Sequence, residues 1–88
     1  MNDEIIEKLK NKITEFQNQD VYIELQQSIQ YHITIYHSKI IVSNEKLIIS
    51  DEQHQDFIIE LQYLEDIEID GNTIYMEMSN DIKITLDY

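Results

Sequence analysis

The stretch DIEIDGNTIYMEM, Asp66 to Met78, decides how the rest of the chain is read. Ile67 and Ile69 alternate with Asp66, Glu68 and Asp70, and beyond the turn Ile74, Met76 and Met78 alternate with Tyr75 and Glu77. A period of two puts the apolar residues of each run on one face of an extended strand and the polar residues on the other. Between the runs, Asp70-Gly71-Asn72 contains the chain's single glycine, and both Asp-Gly and Gly-Asn tolerate the positive φ that a tight hairpin requires. The segment therefore predicts an antiparallel hairpin with one apolar face and one acidic face.

The same alternation extends in both directions. Downstream, Ser79-Asn80-Asp81 predicts a turn, and Ile82, Ile84 and Leu86 then alternate with Lys83, Thr85 and Asp87. Upstream, Phe57, Ile59 and Leu61 predict a strand over 57–61 followed by a turn near Tyr63 to Glu65, although FIIELQYLEDI also has helical spacing. DEQHQD (51–56) reads as a polar loop. KIIVS and KLIIS read as short strands joined at Asn44-Glu45, with a turn before them at His37-Ser38. Val21, Ile23 and Leu25 share a phase with Ile29, Tyr31, Ile33 and Ile35, as one long bent strand or as two strands. Only residues 3–17 break the rule: Ile5, Ile6, Leu9, Ile13 and Phe16 recur at helical spacing, with Asn2 or Asp3 placed to cap the start.

These readings predict an α+β fold in one domain (1–88), with a helix at 3–17 and a β-rich region at 21–88. The strands would form a curved antiparallel sheet or small barrel of five to seven strands. In element order this is similar to Sm-like and SH3-like small barrels, but the glycines that help Sm strands bend are missing. An 88-residue chain has room for one core, and its Ile-rich, Ala-free composition suits strands. Without cysteine there is no disulfide framework and no thiolate metal site. The start of the chain lacks the pattern of a signal peptide, and no apolar run approaches the ~20 residues of a membrane span, so a cytoplasmic location is expected.

Charge is the strongest compositional signal. Eighteen acids face six lysines and no arginine, for a net charge of −12. The acids are segregated: twelve follow Asn44, against Lys46 and Lys83, and this part carries ten of the twelve net negative charges. Such a surface repels nucleic acid and anionic membranes and attracts basic partners. The parity of the strands puts Asp66, Glu68 and Asp70 in a row opposite Ile67 and Ile69, with Glu60 and Glu77 also on solvent parity. Glu65 lies at the neighbouring turn. Tyr75, and Tyr63 if it lies on the same side, would supply an amphipathic anchor. Glu60, Glu65, Asp66, Glu68, Asp70, Tyr75 and Glu77 are thus the candidate partner-binding residues.

Catalytic and metal chemistry find less support. A carboxylate pair for acid–base work needs one member in an apolar pocket, and these acids are on exposed parity. His32, His37 and His54 match no zinc spacing, and the segment from Asp66 to Glu77 fails the EF-hand pattern at its third position, Glu68. One glycine cannot build a phosphate-cradling loop. No enzyme activity, cofactor or metal is expected.

In size, acidity and lack of catalytic motifs the chain is similar to small phage-encoded inhibitors, of which anti-CRISPR proteins and other DNA-mimic antagonists are the best-known kinds. The resemblance implies a non-enzymatic protein of the host-cell cytoplasm that occludes a basic, nucleic-acid-binding surface on a partner enzyme. It implies no direct contact with nucleic acid or membrane. The alternative expectation is a structural or assembly module that oligomerises, as a homodimer for instance, through its sheet edges.

Overall fold

The computed structural model describes residues 3–53 and 55–88; the Asn2 capping position and His54 lie outside the described residues. Helix α1 (Asp3–Ile13) buries Ile6, Leu9 and Ile13, one residue per turn on a single face. Asp3 and Glu4 occupy its first turn and Lys10 and Lys12 its last, the order the helix dipole favours. The helix does not run on to residue 17. It tightens into a 3₁₀ turn at Thr14–Phe16, Gln17 leaves with ψ 130°, and Asn18 takes a φ of +65°, which asparagine accepts more readily than most residues. The tighter turn delivers Phe16, fully buried, to the core.

Among the described residues eight strands follow: β1 (Val21–Gln26), β2 (Gln30–Ile35), β3 (Lys39–Val42), β4 (Lys46–Ser50), β5 (Asp56–Glu60), β6 (Leu64–Asp70), β7 (Thr73–Met78) and β8 (Ile82–Asp87). They form two antiparallel sheets, one of five strands in the order β2-β1-β8-β7-β6 and one of three in the order β3-β4-β5. The sheets do not close into a barrel. The α+β class and the leading helix are as the sequence predicts; the strands number eight rather than five to seven. The run from Val21 to Ile35 is two strands, reversed at Gln27–Ile29 and in register from Val21↔Ile35 to Gln26↔Gln30.

The split into two sheets has a local cause at each crossing. After β2 the chain turns through His37 at φ +51° and Ser38, then builds the smaller sheet. It returns after β5 through a second 3₁₀ turn, Leu61–Tyr63, in the segment whose spacing was ambiguous between strand and helix. Ser38 is buried and fully bonded. Its Oγ donates to the Phe16 carbonyl at 2.9 Å, its amide donates to the Gln19 carbonyl, and its own carbonyl accepts from the Asn18 amide. The first crossing is thereby fastened to the end of the helical segment.

Both sheets and the helix share one apolar core. The large sheet contributes Val21, Ile23, Ile35, Ile67, Ile74, Met76, Ile84 and Leu86, and the small sheet Leu47, Ile49 and Ile59. With the inward residues fixed, every alternate residue of the large sheet points to solvent, and the site is built on that outer face.

Candidate acidic protein-binding face

Pairing registers order the outer face into rows that cross all five strands. One row runs Thr34, Tyr22, Asp87, Thr73, Asp70; the next His32, Glu24, Thr85, Tyr75, Glu68; the third Gln30, Gln26, Lys83, Glu77, Asp66. Six of the fifteen residues are acids, and Lys83 is the one lysine. Four of the six acids, Asp66, Glu68, Asp70 and Glu77, lie on the β6–β7 hairpin, where they surround the exposed ring of Tyr75. Gly71 sets this hairpin: its φ of +59° turns the chain so that Asp70 pairs with Thr73.

Of the seven residues expected from the sequence, the fold therefore brings five together: Asp66, Glu68, Asp70, Tyr75 and Glu77. Glu65 lies just off the face, at a register shift between Leu64 and Asp66 that makes it the unpaired residue of a bulge. Glu60 belongs to the other sheet, where it pairs in register with Lys46 on β4. Glu60 and Glu65 instead share a separate surface depression of about 810 Å³ with Asn44, Glu45, Lys46 and Ser79. Tyr63 is exposed on the 3₁₀ crossing and is not part of the sheet face. Glu24, Lys83 and Asp87 belong to the face but were not expected there. Lys83 and Asp87 have solvent parity on their own strand, yet only the pairing of distant strands puts them beside Tyr75.

The centre of the face is a shallow depression of about 320 Å³, lined by Glu24, Gln26, Glu68, Tyr75, Glu77, Lys83 and Thr85. Lys83 stands directly opposite Glu77, but the only ion pair among the described residues is Lys12 with Glu15, at 3.0 Å and on the other side of the core. The carboxylates of Asp66, Glu68, Asp70 and Glu77 are thus exposed and unneutralised. At the other end of the face, Gln30 donates to Glu24 and the Tyr22 hydroxyl is hydrogen-bonded to Nδ1 of His32. Chemically, the β6–β7 end can attract cations and accept charge-assisted hydrogen bonds. Among the described residues, no three His, Asp or Glu side chains converge as a metal site.

Away from the face, Glu15 and Tyr88 form a hydrogen-bonded pair at 3.1 Å. Hydrogen bonds from Lys12 and then from Tyr88 hold the Glu15 carboxyl below the usual carboxylate range. Loss of water around Tyr88, and then its hydrogen bond to Glu15, raise the tyrosine above its ordinary value. No helix among the described residues is long and apolar enough to cross a membrane. No family model matches the chain, and neither a curated protein nor a solved structure is significantly similar to it.

Proposed function

We propose that this chain is a non-enzymatic binding protein whose acidic sheet face occupies a basic, nucleic-acid-binding surface of a partner protein, in the manner of a DNA-mimic inhibitor. The observation that carries the proposal is the cluster of Asp66, Glu68, Asp70 and Glu77 around Tyr75, exposed and without ion pairs among the described residues. Sheet stability alone disfavours it, because like charges directly opposite on paired strands repel. Alternate residues along one strand are ~6.8 Å apart, about twice the ~3.4 Å phosphate spacing of one DNA strand. Two neighbouring strands, β6 and β7, bring the local density closer to that of the nucleic acid. Tyr75 adds a rigid ring that can pack on a desolvated patch while the carboxylates meet lysine and arginine.

Affinity capture from a cell lysate, run at about 50 mM and about 200 mM salt, tests the reading. The expected catch is a basic nucleic-acid-binding protein that is released by the higher salt and by competing duplex DNA. A catch indifferent to both salt and DNA, or none at all, argues against it.

A further inference from the structure

Among the described residues four strands end a sheet, and three of them are guarded against further pairing. Strand β6 carries Asp66, Glu68 and Asp70 and is broken by the Glu65 bulge. Strand β3 has only four residues, and the side chain of Gln17 occupies its edge: Oε1 accepts from the Ile40 amide at 2.8 Å and Nε2 donates to the Ile40 carbonyl at 3.3 Å. Strand β5 begins at Asp56 and ends at Glu60. Charges, bulges and covering groups are the usual means of stopping one sheet from adding to another.

Strand β2 has none of them. Its sequence, QYHITI, contains no acid, lysine, glycine or proline, and its register with β1 is unbroken. The uncharged run extends from Leu25 to Tyr36 in a chain of net charge −12. Residues 26–34 are all exposed, so this hairpin projects beyond the core. On its core-side face Ile29 is 60% exposed, Tyr31 55% and Ile33 43%.

We infer that β2 pairs antiparallel with β2 of a second copy about a two-fold axis perpendicular to the sheet, giving one continuous sheet of ten strands. The two-fold matches each residue with one of the same parity, so the apolar residues of one copy meet those of the other on the same face. Electrostatics selects a second copy as the occupant. Two chains this acidic repel unless they meet where acids are absent, and the β2 edge is such a place. The β6 acids are four strands away, about 19 Å at ~4.8 Å per strand, more than two Debye lengths of ~8 Å. The acids nearest this edge, Glu24 and Asp20, each already accept a hydrogen bond, from Gln30 and from the His37 amide. A basic partner would gain nothing at this edge, while a second copy avoids most of the repulsion it meets elsewhere. This pairing does not depend on the role proposed for the acidic face.

Sedimentation velocity on the whole chain tests it. The expected result is a dimer whose affinity rises between about 50 mM and about 500 mM salt, because screening removes the residual repulsion. Tyr31→Lys combined with Ile33→Lys should raise the dissociation constant by about tenfold or more. These changes make each copy less negative, so general repulsion cannot account for the loss. Circular dichroism checks that the variant is folded. If it is not, Ile29→Lys at the hairpin tip provides the same readout. Ile41→Lys with Ile58→Lys, on the exposed apolar row of the smaller sheet, should leave the dimer intact. A wild-type chain that stays monomeric at every salt concentration overturns the inference. So does a dimer that survives the β2 substitutions, or one lost only with Ile41 and Ile58.

Discussion

Asp66 and Glu77 stand directly opposite each other across the β6–β7 pair, two exposed like charges that form no ion pair with any described residue. The relationship separates stability from binding. Asp66→Lys puts a cation opposite Glu77, a gain of about 0.5 kcal/mol, but removes the hydrogen bond that Asp66 Oδ1 accepts from the Ile67 amide at 2.9 Å, so thermal or urea unfolding should show a stability close to that of wild type. The same variant should lose affinity for a basic partner. A variant that keeps wild-type stability and binds as well as wild type would place the contact surface elsewhere.

The Lys12–Glu15–Tyr88 chain predicts losses at both ends of the pH scale. Glu15 has a lowered folded value, so its contribution is complete above the unfolded carboxylate range and is lost as pH falls through the folded value. Tyr88 has a raised folded value, so its contribution is complete below about pH 10 and is lost as pH rises through the folded value. The melting-temperature difference between wild type and Tyr88→Phe should be flat around neutral pH and shrink at both extremes. A difference that does not change with pH would show that the hydrogen bond at 3.1 Å does not persist in solution.

Phe16 is fully buried and meets the ring of Tyr88 edge-on, with centroids 4.6 Å apart. Phe16→Ala should cost about 3–5 kcal/mol by denaturant unfolding. Ser38→Ala should cost only about 0.5–1 kcal/mol, because the Phe16 carbonyl that loses the hydroxyl still accepts from the Gln19 amide at 3.1 Å.

Gly71 isolates a purely conformational cost. A Cβ built there meets nothing within 4 Å, so Gly71→Ala introduces no clash and only the φ of +59° opposes it. The expected destabilisation is about 1–2 kcal/mol, and Gly71→Asn should recover much of it. A larger loss for Gly71→Ala would point to a tertiary contact at the turn.

The parts of the fold legible in the sequence are those fixed within a few residues. Alternation from Asp66 to Met78 identifies both strands, Gly71 identifies their turn, and parity alone assigns Asp66, Glu68, Asp70 and Glu77 to a common outer face. The pairing of β1 with β8 was not legible, because Tyr22 meets Asp87 across most of the chain and nothing in either segment specifies the other. That pairing brings Glu24, Lys83 and Asp87 into the face. Glu60 falls on the other sheet for a related reason. The 3₁₀ turn at Leu61–Tyr63 transfers the chain between sheets, and alternation continues on both sides of it. The bulge at Glu65 likewise depends on how β6 and β7 align, and not on the composition of either strand.

The contrast between the acidic β6 edge and the uncharged β2 edge gives a single copy an electric-moment component that lies in the plane of its five-stranded sheet. In the field of a positively charged surface such a molecule experiences a torque before any contact forms, and it turns its β6 end forward during the approach. A two-fold axis perpendicular to the sheet sets the in-plane moments of two copies in opposition, so they cancel. Paired chains would still be attracted by their net charge but would have lost this in-plane part of the aligning torque, and neither β6 end would lead the approach.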